Sequence, residues 1–300
     1  MIGGILFGLA AALFHSLSYL STRFYVSGRQ GGVIGLLLVG HVIMGIVSLI
    51  LLPFFLLPDL PPMWTYLRPA AVSSLFYLLG QAGLFVALRR ADASRVSPLL
   101  GLKLVILAGI SVTLLGKSLS PAQWGAVGLA VAAAFALNYS GRPLSWPSVA
   151  GGLTACLFYS LSDLNIVVLV RSLDSRGGFR AALMGTFVCY ILCGVVCLAL
   201  LPWAGHKPWR DWPYALPFAA TWLGAMVCLF ACFGAVGVIL GGILQSTRGI
   251  ISVALGAPLA AMGWIRLEQP AGRGVLLRRL IAAGMMTAAI ALFVSSGGAV

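Results

Sequence analysis

Long apolar runs, separated by short polar stretches, cover the chain almost from end to end. A helix needs about 20 apolar residues to cross a bilayer core, and Gly, Pro and charged residues mark where such runs stop. The pattern predicts an all-α integral membrane protein with ten transmembrane helices and short connections. The predicted spans are 2–26, 33–57, 68–90, 96–116, 121–139, 147–171, 178–201, 214–237, 240–264 and 275–296.

Composition supports a membrane protein because it leaves too little polar surface for water. Hydrophobic residues make up 61% and charged residues only 8%, whereas soluble domains carry about 25% charged residues. The net charge of +13 does not indicate nucleic acid, because most cations stand at the ends of apolar runs, where they set topology and meet lipid headgroups. We therefore expect a multi-pass protein of the plasma (inner) membrane, with the lipid bilayer as a partner.

An internal repeat divides the chain into two halves of five helices. Residues 13–20 (LFHSLSYL) match residues 157–164 (LFYSLSDL) at six of eight positions, at an offset of 144. The same offset plus one places Lys103 opposite Arg248, and each is a lone cation in the fourth helix of its half. Because five is odd, the second half enters from the opposite face, which predicts inverted repeats. The predicted repeats are 1–140 and 146–300, with a linker at 138–143.

The two lone cations are the first candidates for chemistry. A charge in mid-bilayer costs about 2.5–3.5 kcal/mol on insertion scales, so Lys103 and Arg248 must each face a partner or a wet cavity. Gln245 and Ser252 share a helical face with Arg248. We predict that both cations contact a small-molecule substrate, directly or through water.

Asp163 is the only carboxylate well inside a predicted span. Two interpretations stay open: a structural ion pair with Lys103 or Arg248, and a proton or substrate site. Its helix face also carries Tyr159 and Ser162. The matching face of the first helix carries His15, Ser18, Tyr19 and Thr22. Two polar stripes at equivalent positions predict one central cavity, with substrate contacts from Lys103, Arg248, Gln245, Tyr19, Tyr159, Ser162 and Trp222.

The remaining buried polar residues leave their roles open. His15 either packs with a hydrogen bond to a neighbour or titrates, since imidazole changes charge near neutral pH. In the second case it would act with Asp163 in proton coupling or charge balance. Trp222, Gln81 and Tyr77 either line the cavity or pack. His41, which has no polar company on its own helix, is interpreted as structural.

No enzyme motif is found in the sequence. It has no HExxH, no Walker A loop, no nucleophile elbow and no carboxylate pair on one helical face, so we predict no enzymatic activity. Cys189, Cys193 and Cys197 repeat every four residues, but they span about 12 Å of helix, which is too far for one metal ion. We expect neither a metal nor a cofactor.

Two segments, 93–99 (ASRVSPL) and 115–125 (LGKSLSPAQWG), stand at the two ends of the fourth predicted helix. In these motifs and in its layout the chain resembles the EamA-type transporters of the drug/metabolite transporter superfamily. Lys117 stands where the family commonly has Glu, and the longer second-half turn carries Glu268. The resemblance implies a central cavity from helices 1, 3, 4, 6, 8 and 9, with helices 5 and 10 behind it. It also implies cytoplasmic termini, whereas the positive-inside rule, with twelve loop cations against five, puts both termini outside.

The resemblance also implies a function. In the related sugar-phosphate translocators, basic residues on helices 4 and 9 hold the phosphate, and Lys103 and Arg248 resemble that arrangement. We expect a secondary transporter with alternating access, a monomer or homodimer, for an anionic or zwitterionic metabolite such as an amino acid or organic anion. The alternative is a non-transporting membrane component, such as a lipid flippase subunit or an assembly partner.

Overall fold

The computed structural model is helical in all its regular secondary structure, with no strand in the part of the chain it describes. This confirms the all-α prediction. The described residues are 1–28, 32–88, 96, 99–114, 116, 118–138, 145–174, 178–204, 212–261 and 273–296. Outside them lie Lys117, Glu268, the predicted linker 138–143 except Asn138, and the motif 93–99 except Val96 and Leu99.

The α-helices follow the predicted spans closely. They are α1 (Ile2–Gly28), α2 (Gly32–Leu51), α3 (Met63–Leu88), α4 (Lys103–Thr113), α5 (Pro121–Asn138), α6 (Trp146–Leu173), α7 (Phe179–Leu200), α8 (Trp212–Val236), α9 (Val238–Ser246), α10 (Arg248–Ala261) and α11 (Arg273–Ser295). Short 3₁₀ turns follow α2 at Leu52–Phe55 and α7 at Leu201–Ala204.

Six of the described helices, α1, α2, α3, α6, α7 and α8, are long and apolar enough to cross a bilayer. Shorter apolar helices occupy the other predicted positions, at Leu99–Thr113, Pro121–Ala136, Val238–Ser252 and Leu280–Ser295. The integral membrane assignment is therefore confirmed, while the count of ten spans stays a prediction.

The fourth and ninth predicted helices are each interrupted immediately before the lone cation, which hydropathy did not predict. Leu102 has φ −64° and ψ −17°, and its N–H bonds to the carbonyl of Leu99. Thr247 has φ −64° and ψ −16°, and its N–H bonds to the carbonyl of Leu244. These three-residue bonds tighten the helix by a 3₁₀ turn. Lys103 and Arg248 therefore begin the helical segments α4 and α10.

The helices pack in pairs that combine the two halves. Helix α1 packs on α8 and α3 packs on α6, while α2 packs on α7 and α5 packs on α11. This set of pairs is unchanged when each helix is exchanged with its counterpart in the other half. Apolar side chains of most helices form a shared buried core.

Two glycines allow the close approach of α2 and α7. A Cβ at Gly45 would lie 2.9 Å from Cα of Gly194 and 3.1 Å from the carbonyl oxygen of Tyr190. A Cβ at Gly194 would lie 2.9 Å from Cα of Gly45 and 3.1 Å from the carbonyl oxygen of His41. Small residues let membrane helices approach closely, so this crossing fixes the distance between His41 and Tyr190.

We expect the substitution Gly194→Ala to destabilise the protein by about 1–3 kcal/mol, the usual cost of overpacking. Its matched control is Gly128→Ala in α5, where an added Cβ would meet nothing within 4 Å. Both changes gain helix propensity, so the difference in their thermal unfolding in detergent isolates the contact with α2. Equal stability of the two variants would contradict the close crossing.

Candidate functional site

Lys103 and Asp163 form an ion pair inside the helix bundle. Nζ of Lys103 lies 2.6 Å from Oδ2 of Asp163, and the two side chains are 16% and 8% exposed. Nζ of Lys103 also donates to Oε1 of Gln245 at 3.3 Å. The structure thus pairs Asp163 with Lys103, and Lys103 joins α4 to α6 and α9.

Arg248 lies against an aromatic ring and has no carboxylate partner among the described residues. Its Cζ is 5.8 Å from the ring centre of Tyr19. In the same way, Nζ of Lys103 is 5.9 Å from the ring centre of Tyr159. Cations over aromatic faces are attracted by the ring quadrupole but stay charged. Since Asp163 matches Lys103, the described cluster carries one unmatched positive charge, at Arg248.

Two serines fix the backbone at the cations. Ser160 Oγ of α6 donates to the carbonyl oxygen of Lys103 at 3.3 Å. Ser16 Oγ of α1 donates to the carbonyl oxygen of Arg248 at 2.9 Å. Each hydroxyl shares its single proton with the carbonyl oxygen one turn back on its own helix, at 2.8 Å in both cases. The serines therefore hold α1 and α6 in the same register against the two cation-bearing helices.

His15 and Trp222 form the next layer of the site. Their rings meet edge to face with centroids 5.0 Å apart. Nδ1 of His15 donates to the carbonyl oxygen of Ala11 at 3.0 Å, and Nε1 of Trp222 donates to the hydroxyl of Tyr190 at 2.7 Å. His15 is buried, and it lies close enough to Arg248 for that charge to act on it.

The sequence interpretation missed the polar partners of His41. Its Nδ1 donates to the carbonyl oxygen of Leu37 at 2.7 Å, so in the neutral ring Nε2 accepts from the hydroxyl of Tyr77 at 2.9 Å. Nε2 of Gln81 donates to the same hydroxyl at 2.9 Å. The ring of His41 also stacks on Tyr190 with centroids 5.9 Å apart. These partners lie on other helices, and no local sequence signal points to them.

Ser162 lies apart from the cations, although it is one of the predicted substrate contacts. Its hydroxyl meets that of Ser73 at 3.1 Å and donates to the carbonyl oxygen of Ser73 at 3.0 Å. One residue along a helix is a rotation of about 100°, so Ser162 faces α3 while Asp163 faces Lys103. Three other predicted contacts lie beside the cations: Gln245, Tyr19 and Tyr159. Trp222 contacts the ring of His15.

The described part of the chain holds no group of three His, Cys, Asp or Glu side chains that could bind a metal ion. Its six cysteines are free thiols in helices. The chemistry that the described cluster offers is therefore electrostatic and hydrogen-bonding.

The EamA-like transporter family model matches residues 2–139. The matched segment covers somewhat less than half of the chain, and over it the chain is similar to the EamA-like transporter family. The family is part of the drug/metabolite transporter superfamily, so the recognition made from the sequence is confirmed. The match supports a membrane transporter and does not favour a non-transporting component. No curated protein matches the sequence.

One solved structure resembles this protein in fold over almost the whole chain. It is titled a crystal structure of a protein, and it matches with a TM-score of 0.61 over 94% of this chain and 95% of its own. The identity is 17%, so the likeness concerns the fold alone.

Proposed function

We propose that the protein is a secondary transporter for an anionic or zwitterionic metabolite, such as an amino acid or organic anion, and that Arg248 binds the anionic group. The observation that carries this proposal is the unmatched charge. Lys103 has its carboxylate 2.6 Å away, whereas Arg248 has none among the described residues. A cation among apolar helices is costly without a partner. Arg248 is only half-buried, so a substrate anion can reach it and supply that partner.

Alternating access is supported by the equivalent contacts of the two halves, which we interpret as inverted repeats. The Ser160–Lys103 and Ser16–Arg248 bonds occur in the same register. Helices α3 and α8 both continue through an internal proline, Pro69 and Pro217. Halves with matching packing can exchange their arrangements about a fixed central site, which is how inverted repeats give alternating access.

The other residues of the cluster have distinct roles in this proposal. Asp163 balances Lys103, and Gln245 orients the ammonium group of Lys103 through its side-chain oxygen. A proton that neutralises Asp163 would leave Lys103 without its counterion, which gives a route for proton coupling. These contacts all lie within one chain, as in a monomer or in each subunit of a homodimer.

The test is thermal unfolding of the purified protein in detergent with carboxylates, neutral amino acids and lipophilic cations. A ligand at 100 times its dissociation constant stabilises by about 2.7 kcal/mol, which shifts the unfolding temperature by several degrees. We expect such a shift from at least one carboxylate or amino acid. Stabilisation by lipophilic cations alone would contradict the proposal.

A further inference from the structure

The two cations make the same backbone contact but differ in the side chains around them. Ser160 bonds to the backbone of Lys103 as Ser16 bonds to the backbone of Arg248. Three residues further along each helix, the sequence has Asp163 after Ser160 but Tyr19 after Ser16. Because the registers match, Asp163 and Tyr19 hold the same place relative to the two cations.

The side-chain contacts agree with this equivalence. Asp163 meets the charged end of Lys103 at 2.6 Å, and the ring of Tyr19 lies 5.8 Å from the guanidinium carbon of Arg248. Tyr19 keeps 36% of its surface exposed, against 6% for Asp163. One half therefore supplies its cation with an internal carboxylate, and the other half presents an accessible tyrosine.

The helices that pack beside Arg248 and beside Lys103 also approach each other in the same way, so a carboxylate can meet both cations with the same geometry. A Cβ added at Gly8 would meet the side chain of Leu244 at 2.7 Å, and one added at Gly152 would meet the side chain of Leu99 at 2.9 Å. Each pair of helices therefore approaches closely one turn before its cation. A carboxylate beside Tyr19 would reach Arg248 along the direction from which Asp163 reaches Lys103.

Resting on the proposed function of Arg248, we infer that the substrate presents a single carboxylate, bound beside Tyr19 as the carboxylate of Asp163 is bound at Lys103. Tyr19 is then a specificity-determining residue, because it leaves the charge of Arg248 for the substrate and its hydroxyl can donate to the bound oxygen. One carboxylate supplies the counterion that Arg248 lacks among the described residues. A second carboxylate finds no further unpaired cation in the described cluster, and burying it in apolar surroundings is costly.

The first test compares matched ligands on the wild-type protein by thermal shift: asparagine with aspartate, glutamine with glutamate, and butyrate with succinate. The member of a pair with one carboxylate is expected to stabilise the protein at concentrations at least tenfold lower. Preference for the dicarboxylate members would overturn the inference while leaving an anion site at Arg248 in place. No shift from any of the six would count against both.

The second test builds the missing carboxylate into the chain. Tyr19→Asp is expected to pair with Arg248 and to remove the shift given by the best ligand of the six, whereas the uncharged Tyr19→Asn retains it within tenfold. If the ligand raised the unfolding temperature of Tyr19→Asp as much as that of Tyr19→Asn, the inference would be overturned.

A third variant covers the case in which Tyr19→Asp does not fold. Tyr19→Phe preserves the ring and removes only the hydroxyl, so we expect binding about fivefold to tenfold weaker, the usual effect of one lost hydrogen bond. Unchanged affinity in Tyr19→Phe would overturn the part assigned to Tyr19. If Arg248→Gln bound the same ligand as tightly as the wild-type protein does, that result would instead contradict the proposed function.

Discussion

Replacement of Arg248 by glutamine is expected to lower the transport rate about 100-fold. Removing one member of a buried charge pair costs about 2–5 kcal/mol, and each 1.4 kcal/mol is about tenfold. The measurement is counterflow in proteoliposomes with the carboxylate that stabilises the wild-type protein most. Glutamine retains hydrogen-bonding capacity, so the effect reports the charge.

The matched control is Arg171→Gln, which removes an exposed arginine in the last turn of α6. It is expected to transport at the wild-type rate, since an exposed cation of this kind gains little from any one partner. If Arg248→Gln folds and transports within twofold of this control, Arg248 does not bind the substrate.

Replacement of Asp163 by asparagine is expected to destabilise the protein by about 3–5 kcal/mol, because it leaves the buried ammonium group of Lys103 without its counterion. The measurement is unfolding in detergent with a graded denaturant. Asp59→Asn, which changes an exposed carboxylate outside the helices, is the control and is expected to have little effect.

The double variant Lys103→Met with Asp163→Leu removes both charges together, so it shows whether the loss in Asp163→Asn comes from the unpaired lysine. Replacing a buried ion pair by apolar residues is often neutral or stabilising, so this variant is expected to recover most of the lost stability. The stability effects of substitutions at two contacting residues do not add, and the double variant measures that difference. If the double variant is as unstable as Asp163→Asn, the loss arises from packing around Asp163 rather than from an unpaired lysine.

The sequence predicted the helices and the cations well because both depend on local composition. Apolar runs located α1, α3 and α6, and the repeat offset plus one, 145 residues, placed Lys103 opposite Arg248. The repeat also aligned Tyr19 with Asp163. It did not show that Asp163 pairs with Lys103 rather than with Arg248, since that depends on how two distant helices approach.

Two features could not be predicted from local pattern. The bond between His41 and Tyr77 joins α2 to α3, and an interpretation limited to one helix treats His41 as a residue without partners. The 3₁₀ turns at Leu102 and Thr247 are changes of backbone geometry inside apolar segments, to which hydropathy is insensitive. Both features arise from packing between helices.

The central claim, that the unmatched charge of Arg248 makes this protein a carboxylate transporter, is tested most directly by counterflow with the wild-type protein. Sealed proteoliposomes are loaded with an unlabelled carboxylate or amino acid, and uptake of the same labelled compound is followed, with tetraphenylphosphonium as the cationic comparison. We predict transient, saturable accumulation of at least one singly charged carboxylate or zwitterionic amino acid, and none of the cation. The claim would be contradicted if the protein exchanged only the cation. It would also be contradicted if folded protein exchanged none of the carboxylates and amino acids.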